Sequence, residues 1–175
     1  MTAVAAVDPW EAADPENFAS LFRAQPGGVA VITADDGSGP VALTATSVSS
    51  VCVAPPLLVL SASDRSSAAP TIVAAETLVV HFLDVGDLEI AKLAATSGAE
   101  RFTDRLRWSR LPSGEPIYDG VARKVRVRTV DRIRAGGATL LIAEALDVHS
   151  APAADRHPLV YHDRAWHDLG GTYEI

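Results

Sequence analysis

Hydrophobic and polar positions divide the chain into short apolar runs separated by turns. Apolar runs rich in β-branched residues predict buried strands, whereas the alternation of apolar and charged positions over residues 121–133 predicts a long strand with one exposed face. The run 139–148 is its expected antiparallel partner, across a turn at 134–137. The shorter predicted strands cover residues 29–33, 41–44, 57–60, 77–83, 158–162 and 165–169.

Three further stretches are predicted to be helical. The first begins at Asp14 and Pro15, because Asp is a preferred N-cap and Pro is favoured at the first helical position. Its apolar residues Phe18, Leu21 and Phe22 fall at i, i+3 and i+4, so we expect them to form one buried face. The other two helices are predicted over residues 68–75, with Ser66 and Ser67 in the N-cap region, and over residues 87–93.

These elements predict a mainly β fold, in which seven or eight strands form a mostly antiparallel barrel or sheet with two or three helices. A chain of 175 residues is long enough for one domain with a single core. We expect that domain to span residues 14–170, and residues 1–13 to form a flexible arm. A hydrophobic fraction of 48% with 21% charged residues is typical of a soluble globular protein.

The charge balance disfavours nucleic acid as a partner. The chain carries 15 basic and 22 acidic residues, a net charge of −7, whereas nucleic-acid binding needs a basic surface. The one basic segment, 123–128, alternates with apolar residues and is interpreted as the exposed side of a strand.

Cysteine content and hydropathy indicate the compartment. Cys52 is the single cysteine, so an intrachain disulfide is impossible and secretion is not indicated; between Val51 and Val53 it is interpreted as a small core residue. The N-terminus has no basic segment followed by an apolar run, and no stretch approaches the roughly 18 apolar residues of a membrane span. We therefore expect a cytoplasmic protein with no membrane partner.

Two clusters of small hydroxyl residues, 44–50 and 61–67, each follow a predicted strand. Strand ends that lie close together deliver their loops to one place, so the two clusters are expected to share one rim of the sheet. Their hydroxyls and backbone amides, together with Arg65, suit a phosphorylated polar ligand. The alternative interpretation is two structural loops whose hydroxyls only cap turns and helix ends.

No spacing of residues predicts a nucleophile, a carboxylate pair or a metal site. One Cys and five scattered His lack the spacing of zinc ligands, and no Gly-x-Gly-x-x-Gly follows a strand. Each histidine is interpreted as a surface or packing residue, with His162 and His167 beside the last hairpin the strongest candidates for a further role. No catalytic residue is predicted.

An ordered set of segments resembles the flavin reductase-like family, the short-chain FMN-binding split barrels. Each segment is weak alone, but together they run through residues 18–169 in the family's order. The segments are PGGVAVIT at 26–33, LTATSVSS at 43–50, PPLLVL at 55–60, SS at 66–67, RF at 101–102 and PLVYH at 158–162.

The resemblance implies an antiparallel, Greek-key-like split β-barrel with two or three peripheral helices, forming a homodimer with FMN near the subunit interface. FAD is the alternative flavin. Family members typically use NADH or NADPH to reduce the flavin, and the reduced flavin then serves a separate monooxygenase. The family member is the flavin reductase component of that two-component system. The fold class, the dimer, the cofactors and the monooxygenase partner are thus expectations from the resemblance.

The resemblance also implies positions for flavin contacts. Those expected around the ring and ribityl chain are Thr44, Ala45, Thr46 and Ser47. Those expected along the ribityl-phosphate are Ser61, Ala62 and Ser63, and those expected at the phosphate are Arg65, Ser66 and Ser67. Arg101 and Phe102 are further expected contacts.

One departure from the family concerns the nicotinamide. Reductases of this group commonly carry Gly-Asp-His where this chain has Gly136, Gly137 and Ala138. Ala138 can neither stack on a ring nor donate a side-chain hydrogen bond, which weakens the inference to NAD(P)H more than the inference to flavin. Two alternatives therefore stay open: a flavin-binding enzyme with lost or altered NAD(P)H use that acts on another substrate, and a non-catalytic flavin-binding subunit.

Overall fold

The computed structural model describes residues 13–103, 106–151 and 156–170. Within them lie twelve strands, three α-helices and one 3₁₀ helix. In chain order these are α1 (Pro15–Arg23), β1 (Gly27–Gly28), β2 (Ala30–Ala34), β3 (Val41–Ala45), β4 (Ser49–Cys52), β5 (Leu57–Ser63), α2 (Ala69–Ala74), β6 (Thr77–Phe82), the 3₁₀ helix (Val85–Asp87), α3 (Leu88–Ala95), β7 (Trp108–Arg110), β8 (Pro116–Tyr118), β9 (Arg123–Ala135), β10 (Ala138–Ser150), β11 (Leu159–His162) and β12 (Ala165–Asp168).

The predicted mainly β fold is confirmed, and every predicted strand and helix is present within a few residues of its expected bounds. The structure adds four short strands, β1, β4, β7 and β8, which hold two to four residues each. Segments this short carry no readable hydrophobic period, and β4 also contains two serines of the first hydroxyl cluster. The expected arm, residues 1–13, lies outside the described residues except for Ala13.

Seven strands form one antiparallel sheet in the order β3-β2-β6-β9-β10-β5-β4. Its first and last strands, β3 and β4, are joined by residues 46–48 alone. A link of this length spans at most about 14 Å, whereas seven strands side by side in a flat sheet extend about 29 Å from the first to the last. The sheet must therefore curl until its two edges meet, which makes a split barrel.

The curled sheet has an apolar core on each face. Inside the barrel, Ile32, Leu60 and Leu141 are fully buried and belong to one cluster. Because neighbouring residues of a strand point to opposite faces, Val31 belongs to a second cluster, together with Tyr118, on the outer face. There α3 packs against β2 and β3, and β8 packs against β2 and β6. The small sheet β1-β11-β12 contributes Leu159 to the same cluster. No helix among the described residues is long and apolar enough to cross a membrane.

Helix α1 starts as expected but does not bury its apolar face. The Asp14 carboxylate accepts hydrogen bonds from the backbone N–H groups of Glu16 and Asn17, which confirms the N-cap. Phe18, Leu21 and Phe22, however, are 57%, 68% and 60% exposed, so the prediction that they are buried is wrong for the single chain. Apolar spacing identifies a face that avoids water, but it does not identify what covers that face.

His81 is the one fully buried histidine among the described residues, and it is a packing residue, as interpreted from the sequence. Its Nδ1 lies 3.1 Å from the Val31 carbonyl oxygen, and its Nε2 accepts the Tyr118 backbone N–H at 3.1 Å. Both bonds are made by a neutral ring with its proton on Nδ1. Burial lowers the pKa of His81 from 6.5 to about 4, against the opposing effect of the Val31 carbonyl.

This histidine predicts a loss of stability in mild acid. A folded pKa below the unfolded value means that its contribution is complete above about pH 6.5 and is lost as the pH falls toward 4, by up to about 3 kcal/mol. Urea unfolding at several pH values in this window measures the slope. His81→Gln is expected to be less stable at neutral pH and to lack this part of the slope; an identical pH dependence in both proteins would contradict the assignment.

Candidate functional site

The two hydroxyl clusters meet where the edges of the sheet approach each other. The Ser47 hydroxyl accepts the backbone N–H of Ser61 and donates to the Ser61 carbonyl, both at 3.3 Å. Ser47 lies in the link between β3 and β4, whereas Ser61 lies near the end of β5. The expectation that both clusters share one rim is therefore confirmed, and the contact between them is direct.

The first cluster forms one wall of a small pocket. Thr44 is held by helix α3, because its hydroxyl donates to the Ala91 carbonyl at 2.7 Å. Ala45 points into the barrel core and is buried, whereas Thr46 is exposed. These three residues line a pocket of about 230 Å³ with Ala95, Tyr161 and Trp166.

The opposite wall of this pocket is an aromatic pair that the sequence did not reveal. The rings of Tyr161 and Trp166 lie 4.7 Å apart at 59° on the hairpin β11–β12. Tyr161 pairs with Gly27 of β1, which fixes the hairpin beside the first cluster. The sequence contained the hairpin, but only pairing between distant parts of the chain places it at the pocket.

Beside the pocket, β5 leads directly into the second hydroxyl cluster. Along this strand Ala62 points into the core, while Ser61 and Ser63 lie on the other face. A turn follows, in which the Ser63 carbonyl accepts the Ser66 N–H at 2.9 Å and the Ser63 hydroxyl accepts the Arg65 N–H at 3.3 Å. We call residues 63–67 the serine loop.

Helix α2 begins later than expected from the sequence. Its first residue is Ala69 and its N-cap is Ala68, which makes no side-chain cap. The Ser66 hydroxyl accepts the Ala68 N–H at 3.2 Å, so Ser66 supports the entry to the helix without capping it in the expected way. Because α2 has only six residues and no side-chain cap, the candidate donors to an anion are those of the loop that precedes it.

The serine loop has the donors that a phosphate ester needs. The hydroxyls of Ser63 and Ser66 each accept a backbone N–H, which leaves each hydroxyl proton free to donate. Ser67 and Arg65 are exposed beside them. The adjacent carboxylate of Asp64 is paired with Arg134 at 2.7 Å, so its negative charge is offset at the place where an anion would bind.

Arg101 and Phe102 are placed differently from each other. The Arg101 guanidinium donates to the Thr96 carbonyl at 3.1 Å, immediately after Ala95 of the pocket wall. The Phe102 ring stacks on Tyr118 with ring centres 5.5 Å apart, and it packs edge-on against Trp108 with ring centres 5.0 Å apart. Phe102 thus serves the outer core, whereas Arg101 lies near the pocket.

Residues 136–138, which stand where the family commonly has Gly-Asp-His, lie beside the serine loop. The Asp64 N–H donates to the Gly137 carbonyl at 2.9 Å, and Ala138 pairs with Ser63. Gly136 has a φ of +60°, which glycine adopts without strain at this turn. Among the three residues Gly136, Gly137 and Ala138, the only side chain is the methyl group of Ala138.

The two histidines of the last hairpin contact each other rather than the pocket. The rings of His162 and His167 lie 5.7 Å apart, and His167 Nε2 is 3.2 Å from the His162 carbonyl oxygen. Across residues 13–103, 106–151 and 156–170, no group of three or more His, Cys, Asp or Glu side chains is arranged to hold a metal ion.

Comparison with known proteins agrees with the resemblance found in the sequence. The family described as "Flavin reductase like domain" matches residues 22–170. The chain is 37% identical to an "NADH:FMN oxidoreductase" of Rhodococcus qingshengii over 149 residues, 84% of this chain and 78% of that protein.

Solved structures agree with this similarity. A flavin reductase domain protein from Arthrobacter sp. FB24 superposes with a TM-score of 0.82 at 28% identity, over 91% of this chain and 99% of that one. BorF, the flavin reductase component of a bacterial two-component tryptophan halogenase, gives a TM-score of 0.78 at 24% identity, over 89% and 98%, and shows the likeness of fold. The split-barrel fold expected from the sequence is confirmed.

Two adjacent glycines provide a test of how the pocket wall is positioned. A Cβ atom on Gly27 would lie 2.9 Å from the Thr46 Cβ, whereas a Cβ on Gly28 would meet nothing within 4 Å. Gly27→Ala is expected to push Thr46 outward and to destabilise the fold by about 1–3 kcal/mol. The matched control Gly28→Ala is expected to stay within about 0.5 kcal/mol of the native protein. Chemical denaturation measures both, and equal effects would contradict this packing.

Proposed function

Since the chain belongs to the flavin reductase-like family, we propose that it reduces FMN with NADH at the seam between Ser47 and Ser61. The observation that carries this proposal is the meeting of the two hydroxyl clusters there, with a pocket on one side and the serine loop on the other. In this proposal the FMN phosphate binds at the serine loop, and the flavin ring lies toward Thr46.

The residues at the seam suit the two ends of FMN. The serine loop offers hydroxyl and guanidinium donors to a dianionic phosphate. The pocket combines the exposed Thr46 with the aromatic rings of Tyr161 and Trp166, which suits a flat ring with apolar faces and polar edges. Bound flavin supplies the redox chemistry by accepting a hydride from nicotinamide. The chain's task is to position the rings, which needs no acid or base from the protein.

The site also suits a flavin that is released after reduction. The pocket and the serine loop are open, and neutral hydroxyl hydrogen bonds contribute only about 0.5–1.5 kcal/mol each. Reduced FMN then passes to a separate monooxygenase, as expected for the reductase component of a two-component system.

The alternative function is a flavin-binding protein that does not use NAD(P)H. Ala138 favours it, because the family's usual histidine is missing beside the serine loop. Such a protein acts on another substrate with its bound flavin, or serves as a non-catalytic subunit. The name of the Rhodococcus protein, an NADH:FMN oxidoreductase at 37% identity, favours NADH use.

Oxidation of NADH by the purified protein with added FMN tests the proposal. We expect FMN-dependent turnover, with a kcat in the range of about 1–10³ s⁻¹ that is usual for enzymes. Ser47→Ala removes the seam bond and is expected to weaken FMN binding by about fivefold or more. The control is Ser109→Ala, since Ser109 is exposed on the β7–β8 hairpin and its hydroxyl donates to the Asp119 carboxylate.

The outcomes separate the two functions. FMN binding without oxidation of NADH or NADPH would contradict the reductase proposal and support the alternative. Failure to bind FMN at all would contradict both the reductase and the flavin-binding alternative.

We also propose that the protein is a homodimer. The exposed apolar face of α1 has no covering element within its own chain among the described residues, and an apolar groove of about 360 Å³ opens beside Val53 and Phe82. Burying a large apolar side chain gains about 1.5–3 kcal/mol, so a second copy that covers such surfaces is strongly favoured.

Substitutions on the two sides of α1 test the dimer. Phe22→Asp places a charge on the apolar face and is expected to raise the dimer dissociation constant by about tenfold or more. Ser20→Asp places the same charge on the polar face of the same helix and is expected to leave it unchanged. Sedimentation velocity over a range of concentrations measures both. A native protein that stays monomeric would contradict the dimer, and equal effects would remove α1 from its interface.

A further inference from the structure

Tyr118 holds the chain segment that carries Arg101. Tyr118 is fully buried in the outer core, and its hydroxyl donates to the Arg101 backbone carbonyl at 2.8 Å. The ring of Phe102, the next residue, lies parallel to the Tyr118 ring, with only 1° between the two planes. A hydrogen bond and an aromatic stack therefore fix two consecutive residues of this segment to one side chain.

Tyr118 is itself held from behind by the barrel. Its backbone N–H donates to Nε2 of the buried His81 at 3.1 Å, and its strand, β8, packs against β2 and β6. Burial raises the pKa of Tyr118 to about 12, against the opposing effect of the Arg101 charge. The hydroxyl therefore stays protonated, and so remains a donor, at any pH used in an ordinary assay.

The Arg101 guanidinium has few anchors of its own among the described residues. It donates to the Thr96 carbonyl at the C-terminus of α3, one residue beyond Ala95 of the pocket wall. Its Nε is buried and has no hydrogen-bond partner in the part of the chain that the structure describes. The position of a long side chain with so few contacts depends on the backbone from which it extends. That backbone is the one that Tyr118 fixes.

We propose that Tyr118 is a positioning residue for the flavin site, because its hydroxyl and ring hold the backbone from which the Arg101 guanidinium extends beside the pocket. The inference rests on the proposed function and on the expected contact between Arg101 and the flavin. A guanidinium presents a planar fork of N–H donors, which suits the carbonyl oxygens on the edge of a flavin ring. Tyr118 is fully buried, so it acts on the ligand only through Arg101.

A double-mutant cycle on FMN affinity separates positioning from general packing. Tyr118→Phe keeps the ring and its stacking but removes the hydroxyl, and is expected to raise the FMN dissociation constant by about three- to tenfold. Arg101→Gln removes the guanidinium and is expected to raise this constant by about tenfold or more. In the double variant, loss of the Tyr118 hydroxyl is expected to have no further effect, because the group that it positions is already absent. Equilibrium titration of the native protein and the three variants with FMN gives the constants.

The matched control is Thr33→Val. The Thr33 hydroxyl is also buried and donates to a backbone carbonyl of β8, that of Pro116, so its removal breaks a similar hydrogen bond near Tyr118 without loosening Arg101. This variant is expected to change the FMN dissociation constant by less than about twofold. The visible absorption band of bound FMN is a second readout, because it responds to hydrogen bonds at the ring. Tyr118→Phe and Arg101→Gln are expected to shift this band in the same direction, whereas Thr33→Val is expected to leave it at the native position.

The outcomes distinguish this inference from the proposed function. Additive effects in the double variant, or equal effects of Tyr118→Phe and Thr33→Val, would overturn the positioning role of Tyr118. An Arg101→Gln variant with native FMN affinity would also overturn it, whereas FMN-dependent oxidation of NADH by the native protein would still support the proposed function. Failure of the native protein to bind FMN would overturn both.

Discussion

The short link between β3 and β4 is the constraint on which the rest of the structure depends. Residues 46–48 join the two outermost strands of a seven-stranded sheet, so the sheet can exist only if it curls until these strands approach each other. The same link carries Ser47, and its bonds to Ser61 hold the link against β5, the strand that pairs with β4. The seam of the barrel and the candidate flavin site are therefore the same place.

Much of this could be predicted from local sequence, because the strands of the barrel are long enough to show their pattern. The apolar runs at 29–33 and 57–60 and the alternation at 121–133 correspond to β2, β5 and β9. The two hydroxyl clusters were recognisable for the same reason, since the first follows the strand predicted at 41–44 and the second follows the strand predicted at 57–60. Short elements such as β1 and β8 were missed, because two or three residues carry no period.

Features that depend on distant contacts could not be predicted. Tyr161 and Trp166 reach the pocket only through the pairing of β11 with β1, and Phe102 is drawn into the outer core by Tyr118. The exposed face of α1 is another such feature. Its apolar spacing was identified from the sequence, but the prediction that this face is buried was wrong for the single chain. The flavin contacts themselves stay a prediction, now attached to a specific geometry at the seam.

We propose that the serine loop holds the phosphate of the flavin, and a comparison of FMN with riboflavin measures the contribution of this contact. Riboflavin lacks that phosphate, so it serves as an internal control for any change in the fold. The double variant Ser66→Ala, Ser67→Ala is expected to bind FMN about 10–100-fold more weakly than the native protein, while riboflavin affinity changes by less than about twofold. An equal loss of affinity for FMN and riboflavin would contradict the assignment.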